Sequence, residues 1–172
     1  MTIIVGITDG TTVYIGGDRG ASDGVTILSL SRPKVYINNN WIFGYAGSLG
    51  VGQLMEIIDM PDAGEDPYKT LRTEVVTHMR NAIDLYGNSD PEHTSDFIIG
   101  TQGRLFELNT ADWSVAEVIE TSIGSGNELA LGSLYTTKMF SAATPEFRIN
   151  LALESAIYYS PTCQGEVDIL SI

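Results

Sequence analysis

Apolar and β-branched residues run almost unbroken from Thr2 to Thr8, stop at Asp9-Gly10 and resume from Thr11 to Gly17. A short apolar run bounded by turn residues fits a buried strand. Asp-Gly between two such runs is a strong hairpin signal. The pattern predicts two antiparallel strands of similar length, with Thr2 and Asp18 returning to the same end. Pairing then brings those two side chains within reach of each other. Val25 to Leu30 predicts a short strand. Lys34 to Ile37 and Trp41 to Ala46 predict a second hairpin turning on Asn38-Asn39-Asn40.

Beyond Gly47 the period changes from that of a strand to that of a helix. Ser48 is placed to cap a helix through about Ile58, with Leu49, Leu54, Ile57 and Ile58 on its buried side. Pro61 to Asp66 is a polar loop, and Pro67 opens a long amphipathic helix to about Tyr86. Leu71, Val75, Met79, Ile83 and Tyr86 recur along it at helical spacing. Gly87 to Thr94 is rich in turn residues. Ser95 to Thr101, Arg104 to Asn109 and Trp113 to Ile119 then predict a three-stranded meander, with turns at Gln102-Gly103 and Thr110-Ala111-Asp112. Gly124-Ser125-Gly126 leads into a helix through about Phe140. Thr144-Pro145-Glu146 starts another to about Tyr159. Val167 to Leu170 closes as a strand. This order predicts an α+β fold, a four-layer αββα sandwich of two antiparallel sheets flanked by helices.

Composition narrows the function. At 172 residues, with 43% hydrophobic and 18% charged positions, the whole chain, 1–172, is expected to be one domain with a sizeable core. The net charge of −13 and only nine Lys and Arg argue against nucleic acid, whose binders cluster basic residues on phosphates. No apolar stretch approaches membrane-spanning length. Without a secretory-type leader the expected location is the cytoplasm. Cys163 is the single cysteine, so no internal disulfide and no cysteine-rich zinc site is expected, and a packing role suits it. His78 and His93 lack metal-ligand spacing to each other or to the cysteine, and neither a metal nor a cofactor is expected. The Gly16-Gly17-Asp18-Arg19-Gly20 stretch is no phosphate loop, because no Lys-Ser helix start follows it. Arg19 reads as an ion-pair partner before a substrate contact, and Tyr158-Tyr159 as packing at a helix end.

The candidate chemistry lies at the start of the chain. Removal of Met1 would leave Thr2 with a hydroxyl and a free α-amine, a nucleophile and a base in one residue. A peptide α-amine titrates at about 7.7–8.0, and a neighbouring cation lowers that value. Neutral, the amine can accept the hydroxyl proton directly or through a water. While Met1 stays attached that nitrogen is an amide and the chemistry is blocked. Thr2, Asp18 and Lys34 are each ordinary taken singly: a strand residue, a turn residue and a surface lysine.

Together they are not ordinary. Thr2, Asp18 and Lys34 are equally spaced and are followed by Gly44-Tyr45-Ala46-Gly47 and by Ile123-Gly124-Ser125-Gly126, with Ala130 and Gly132 beyond. The set resembles the proteasome β-subunit type of N-terminal nucleophile hydrolase, nearest to the small bacterial HslV-like peptidases, over nearly the whole length. The resemblance implies that Thr2 is the nucleophile, that Lys34 sits beside it as a cation and that Asp18 holds Lys34. It also implies that Gly47 offers its backbone N–H to the oxyanion and that Ser125 bonds near the Thr2 amine. Gly20, Ala21, Ser22 and Ser48 would lie along an extended substrate. The chain departs from the family pattern after its last long helix. Main-line subunits carry an aspartate and a serine there; Ser160 and Cys163 stand in their place, with Asp168 inside the last strand.

The resemblance implies a threonine-type endopeptidase in a homo-oligomeric ring of six or more subunits, acting on unfolded polypeptide. Any ATP-driven AAA+ unfoldase would be a separate partner, since this chain has no phosphate loop. Other readings are an inactive ring or scaffold subunit, a phage-type maturation protease working without an unfoldase, and an amidohydrolase of small amides. The proteasome-like spacing disfavours the last.

Overall fold

A computed structural model describes residues 2–22, 25–86 and 94–172. The first hairpin forms as its turn signal requires, from β1 (Ile3–Thr8) and β2 (Val13–Asp18), in a register that pairs Ile4 with Gly17 and Thr8 with Val13. β10 (Glu120–Gly124) flanks β1, and β11 (Val167–Ser171) flanks β2, completing a four-stranded antiparallel sheet in the order β10-β1-β2-β11. A second antiparallel sheet runs β5-β6-β7-β8-β9. Its strands are β5 (Val35–Asn38), β6 (Trp41–Gly47), β7 (Ser95–Thr101), β8 (Arg104–Asn109) and β9 (Val115–Val118). A short ribbon pairs β3 (Gly20–Ser22) with β4 (Ile27–Ser29).

The long apolar runs arise because both faces of each sheet are covered. Ile4 of β1 meets Ile15, Val35, Ile42, Ile98 and Ile123 in the core between the sheets. The alternate β1 residues, Ile3, Val5 and Ile7, pack outward on Ala130, Leu134, Ile149 and Leu153. These come from α4 (Asn127–Thr137) and α5 (Pro145–Tyr159). On the opposite side Trp41, Phe43 and Tyr45 of β6 meet Met55, Leu71, Val75 and Met79. Those belong to α1 (Leu49–Ile57), to α3 (Val76–Tyr86) and to the π-helical turn Leu71–Val75 that joins α3 to the short α2 (Pro67–Thr70). The result is the helix–sheet–sheet–helix layering predicted from the element order.

Several expectations need correction. The strand predicted over Trp113 to Ile119 forms as Val115–Val118, and a further strand that was not predicted follows it. β9 stops at Val118 in one sheet, and β10 starts two residues later in the other. No Gly or Pro marks that crossover, so local pattern could not find it. Val25 to Leu30 narrows to Ile27–Ser29, paired with the unforeseen strand Gly20–Ser22. α1 packs Leu49, Leu54 and Ile58 half-buried on the core as expected, but its fully buried positions are Val51, Gly52 and Met55, and Ile57 is 76% exposed. The Tyr45 ring lies where a side chain at Gly52 would stand, 2.0 Å from an added Cβ. The helix therefore makes its close approach to β6 through its glycine. α4 ends at Thr137 instead of Phe140, with Met139 and Phe140 exposed beyond it. His93, most of the Gly87–Thr94 break and the Tyr86 side chain lie outside the described residues. No helix among the described residues is long and apolar enough to cross a membrane.

Candidate active site

Three elements converge on one buried point. Thr2 immediately precedes β1, Asp18 ends β2, and Lys34 immediately precedes β5. They are 7%, 0% and 2% exposed. The Lys34 ammonium donates to Thr2 Oγ1 at 2.6 Å, to Asp18 Oδ1 at 2.7 Å and to the Gly20 carbonyl. Three N–H groups thus meet three acceptors, the full donor capacity of an ammonium. Asp18 is fixed in turn by backbone donors, from Ile3 N–H at 3.1 Å and Gln164 N–H at 3.0 Å. Asp18 and Thr2 are joined through Lys34, which sets its nitrogen against the threonine oxygen.

Burial pushes the Lys34 pKa below the ordinary lysine value, and the Asp18 carboxylate partly opposes that fall. In the window between the folded value and the unfolded value of about 10.4, the unfolded chain holds the extra proton. Stability from this group therefore grows as pH rises through that window and is lost as pH falls through the folded value. NMR titration of 13Cε-labelled lysine should show the Lys34 signal moving below about 10.4, in step with a urea midpoint that rises across the same interval. A Lys34 midpoint at or above the ordinary value would refute the assignment.

The pairing of Ile3 with Gly124 across β1 and β10 carries the next residue, Ser125, beside Thr2. Its hydroxyl donates to the Thr2 carbonyl at 3.4 Å and shares a hydrogen bond with Thr162 Oγ1 at 2.7 Å. Cys163 Sγ lies 3.8 Å from the same oxygen. Ser160 reaches this group through Thr162, at 2.7 Å between the hydroxyls. Asp168 does not take part: Arg19 holds its carboxylate with two bonds of 2.7 Å, and Glu166 also pairs with Arg19 at 3.3 Å. Arg19 is thus an ion-pair residue that staples β11 beside β2.

A pocket of about 490 Å3 opens directly on Thr2 and Lys34, with Gly47 on its wall. Among the described residues the wall also includes Ala21 and Ser22 of β3, Thr26, Leu28 of β4, Tyr45 of β6 and Leu49 at the start of α1. Gly47 has a φ of +117°, a region that favours glycine, and an added Cβ would stand 2.5 Å from the Thr94 carbonyl oxygen. Gly20 gives its carbonyl to Lys34, and Ser48 caps α1 by accepting from Val51 N–H at 3.4 Å. Thus Thr2, Asp18, Lys34, Gly20 and Ser125 form one contact network, and Ala21, Ser22 and Gly47 line the adjoining pocket. Ser48 is one residue away from it. Thr162, Tyr45, Leu28, Thr26 and Leu49 were missed by sequence reasoning. Thr162 stood between two residues that had been singled out, and that was the sole signal for it.

His78 is exposed, with Nδ1 2.9 Å from the Asp59 carbonyl oxygen. Among the described residues no group of His, Cys, Asp and Glu could hold a metal ion.

No protein-family model matches the chain, and no curated protein sequence matches it. Solved structures do. BPH of Thiobacillus denitrificans, in complex with epoxomicin, superimposes with a TM-score of 0.83 at 18% identity, covering 100% of this chain and 98% of the other. HslV from Trypanosoma brucei gives a TM-score of 0.73 at 18% identity, covering 99% and 98%. A Gly-1 mutant of Anbu from Hyphomicrobium sp. strain MC1 gives 0.74 at 17% identity, covering 98% of this chain and 80% of that one. Matches that span the whole chain with this layering give it the HslV-like fold of the proteasome-type N-terminal nucleophile hydrolases.

Proposed function

We propose that this chain is a threonine-type endopeptidase subunit, with Thr2 as the nucleophile once Met1 is removed. The observation that carries the reading is the 2.6 Å contact between Lys34 Nζ and Thr2 Oγ1 in a buried site open to a pocket. Lys34 lowers the proton affinity of the hydroxyl and of the amine, and Asp18 holds it in place. The Thr2 amine takes the hydroxyl proton as Oγ1 attacks the peptide carbonyl carbon. The oxyanion forms against the Gly47 N–H. The C–N bond then breaks, the proton passes from the Thr2 amine to the leaving amine, and an ester on Thr2 remains. Water, deprotonated by the same amine, attacks that ester and frees the acid and the threonine. The apolar part of the pocket wall, Ala21, Leu28, Tyr45 and Leu49, suits an apolar substrate side chain.

The likeness to HslV supports the wider reading: one domain over 1–172, a homo-oligomeric ring of six or more copies and unfolded polypeptide as substrate. An AAA+ ATPase as a separate partner and a cytoplasmic location belong to the same proposal. A second reading, an inactive ring or scaffold subunit, draws on the all-hydroxyl group at Ser125, Thr162 and Ser160.

Intact mass and covalent labelling separate the two. The peptidase reading expects a species lighter by one methionine. It also expects one adduct per chain with an electrophile selective for N-terminal threonine, mapped to Thr2 by fragmentation. Met1 retained in all of the protein, with no adduct at Thr2, would establish the scaffold reading instead.

A further inference from the structure

The turn after α5 is tied down on both sides of Thr162. Gln164 N–H donates to Asp18 Oδ2 at 3.0 Å, which fastens one side to the carboxylate that holds Lys34. On the other side, Ser160 N–H closes α5 onto the Ala156 carbonyl at 2.8 Å. The buried Cys163 thiol also packs at the start of α4, 2.8 Å from where a Cβ on Gly126 would stand. Thr162 is therefore presented to Ser125 by an anchored segment.

The hydroxyls then form a directional chain. Thr162 N–H donates to Ser160 Oγ at 3.4 Å, and Ser160 Oγ lies 2.7 Å from Thr162 Oγ1. Thr162 Oγ1 lies 2.7 Å from Ser125 Oγ, which donates to the Thr2 carbonyl at 3.4 Å. Each hydroxyl has one proton to give. The Thr2 carbonyl can only accept, so Ser125 spends its proton there and accepts from Thr162, which in turn accepts from Ser160. None of these hydroxyls titrates in the working range, so the chain orients without adding charge beside Lys34.

We propose that Thr162 is a positioning residue that aims the Ser125 hydroxyl at the main chain of Thr2 and so holds the nucleophile in register. This role rests on the reading of Thr2 as the nucleophile. The test measures the rate of Thr2 acylation by the same electrophile, as a function of pH, in mature wild type, Thr162→Val and Thr162→Ser. Valine keeps the shape and removes the hydroxyl; serine keeps the hydroxyl. The expected result is about a tenfold slower reaction for Thr162→Val, the scale of one lost hydrogen bond. Its pH midpoint should be displaced, and Thr162→Ser should react within about twofold of wild type. Equal rates and midpoints for wild type and Thr162→Val would overturn the role of Thr162 alone. Equal slowing in both variants would also overturn it, because the effect would then come from packing of the methyl group. A wild type that forms no adduct at Thr2 would overturn the nucleophile reading and this role together.

Discussion

Lys34→Met should abolish measurable acylation of Thr2 and unfold at markedly lower urea. Asp18 is 0% exposed, and with the ammonium gone its carboxylate keeps, among the described residues, the Ile3 and Gln164 N–H donors. Removing one partner of a buried pair typically costs about 3–5 kcal/mol, because the other charge stays buried and uncompensated. Replacing both partners by neutral groups of similar shape is often close to neutral. The double variant Asp18→Asn with Lys34→Met should therefore recover most of the lost stability and none of the chemistry. The activity loss should reach at least about 100-fold, the lower range for a group that assists proton transfer. Urea midpoints and labelling rates on the four proteins of this cycle check both halves. A Lys34→Met protein that labels at the wild-type rate would remove lysine from the mechanism, and a double variant as unstable as the single one would remove the buried-charge explanation.

Gly124→Ala should be nearly as damaging, by a different route. Gly124 sits at φ +98°, and an alanine Cβ there would stand 2.2 Å from the Thr2 carbonyl oxygen and 2.9 Å from its carbon. Those are backbone atoms of the proposed nucleophile, so the clash cannot be relieved by a side-chain rotation. A side chain in this region of φ costs about 1–3 kcal/mol by itself. Relief would come from moving Thr2, just ahead of β1, and a displacement of about 1 Å at a reacting group can cost about 100-fold. Thermal unfolding and labelling rates measure the two effects. Gly132→Ala is the matched control: Gly132 lies inside α4 with nothing within 4 Å of an added Cβ. That substitution should leave the labelling rate unchanged and stabilise the helix by about 0.5–1 kcal/mol. Equal labelling by Gly124→Ala and wild type would show that the β10 contact does not position Thr2.

Much of the site can be read in the chain because a turn fixes it. Asp9-Gly10 sets the first hairpin, and strands of equal length return Asp18 to the level of Thr2. The apolar runs of β1 and β6 report burial on both faces before any neighbour is known. The crossover from Val118 to Glu120 is not legible in the same way, because nothing local marks a strand that leaves one sheet for the other.

The sequence by itself determined the strand and helix periods, the turns that punctuate them and the presence of a threonine, an aspartate and a lysine able to serve one chemistry. Those are local properties, set by side-chain type and spacing along a few residues. Only the tertiary structure decided that Lys34 points its ammonium at Thr2, that α1 packs through Gly52 against Tyr45 and that Thr162 reaches Ser125 across 37 positions of chain. Each of these depends on how closely two separately formed elements approach. That distance is settled by packing among residues far apart in the chain, and no local pattern carries it.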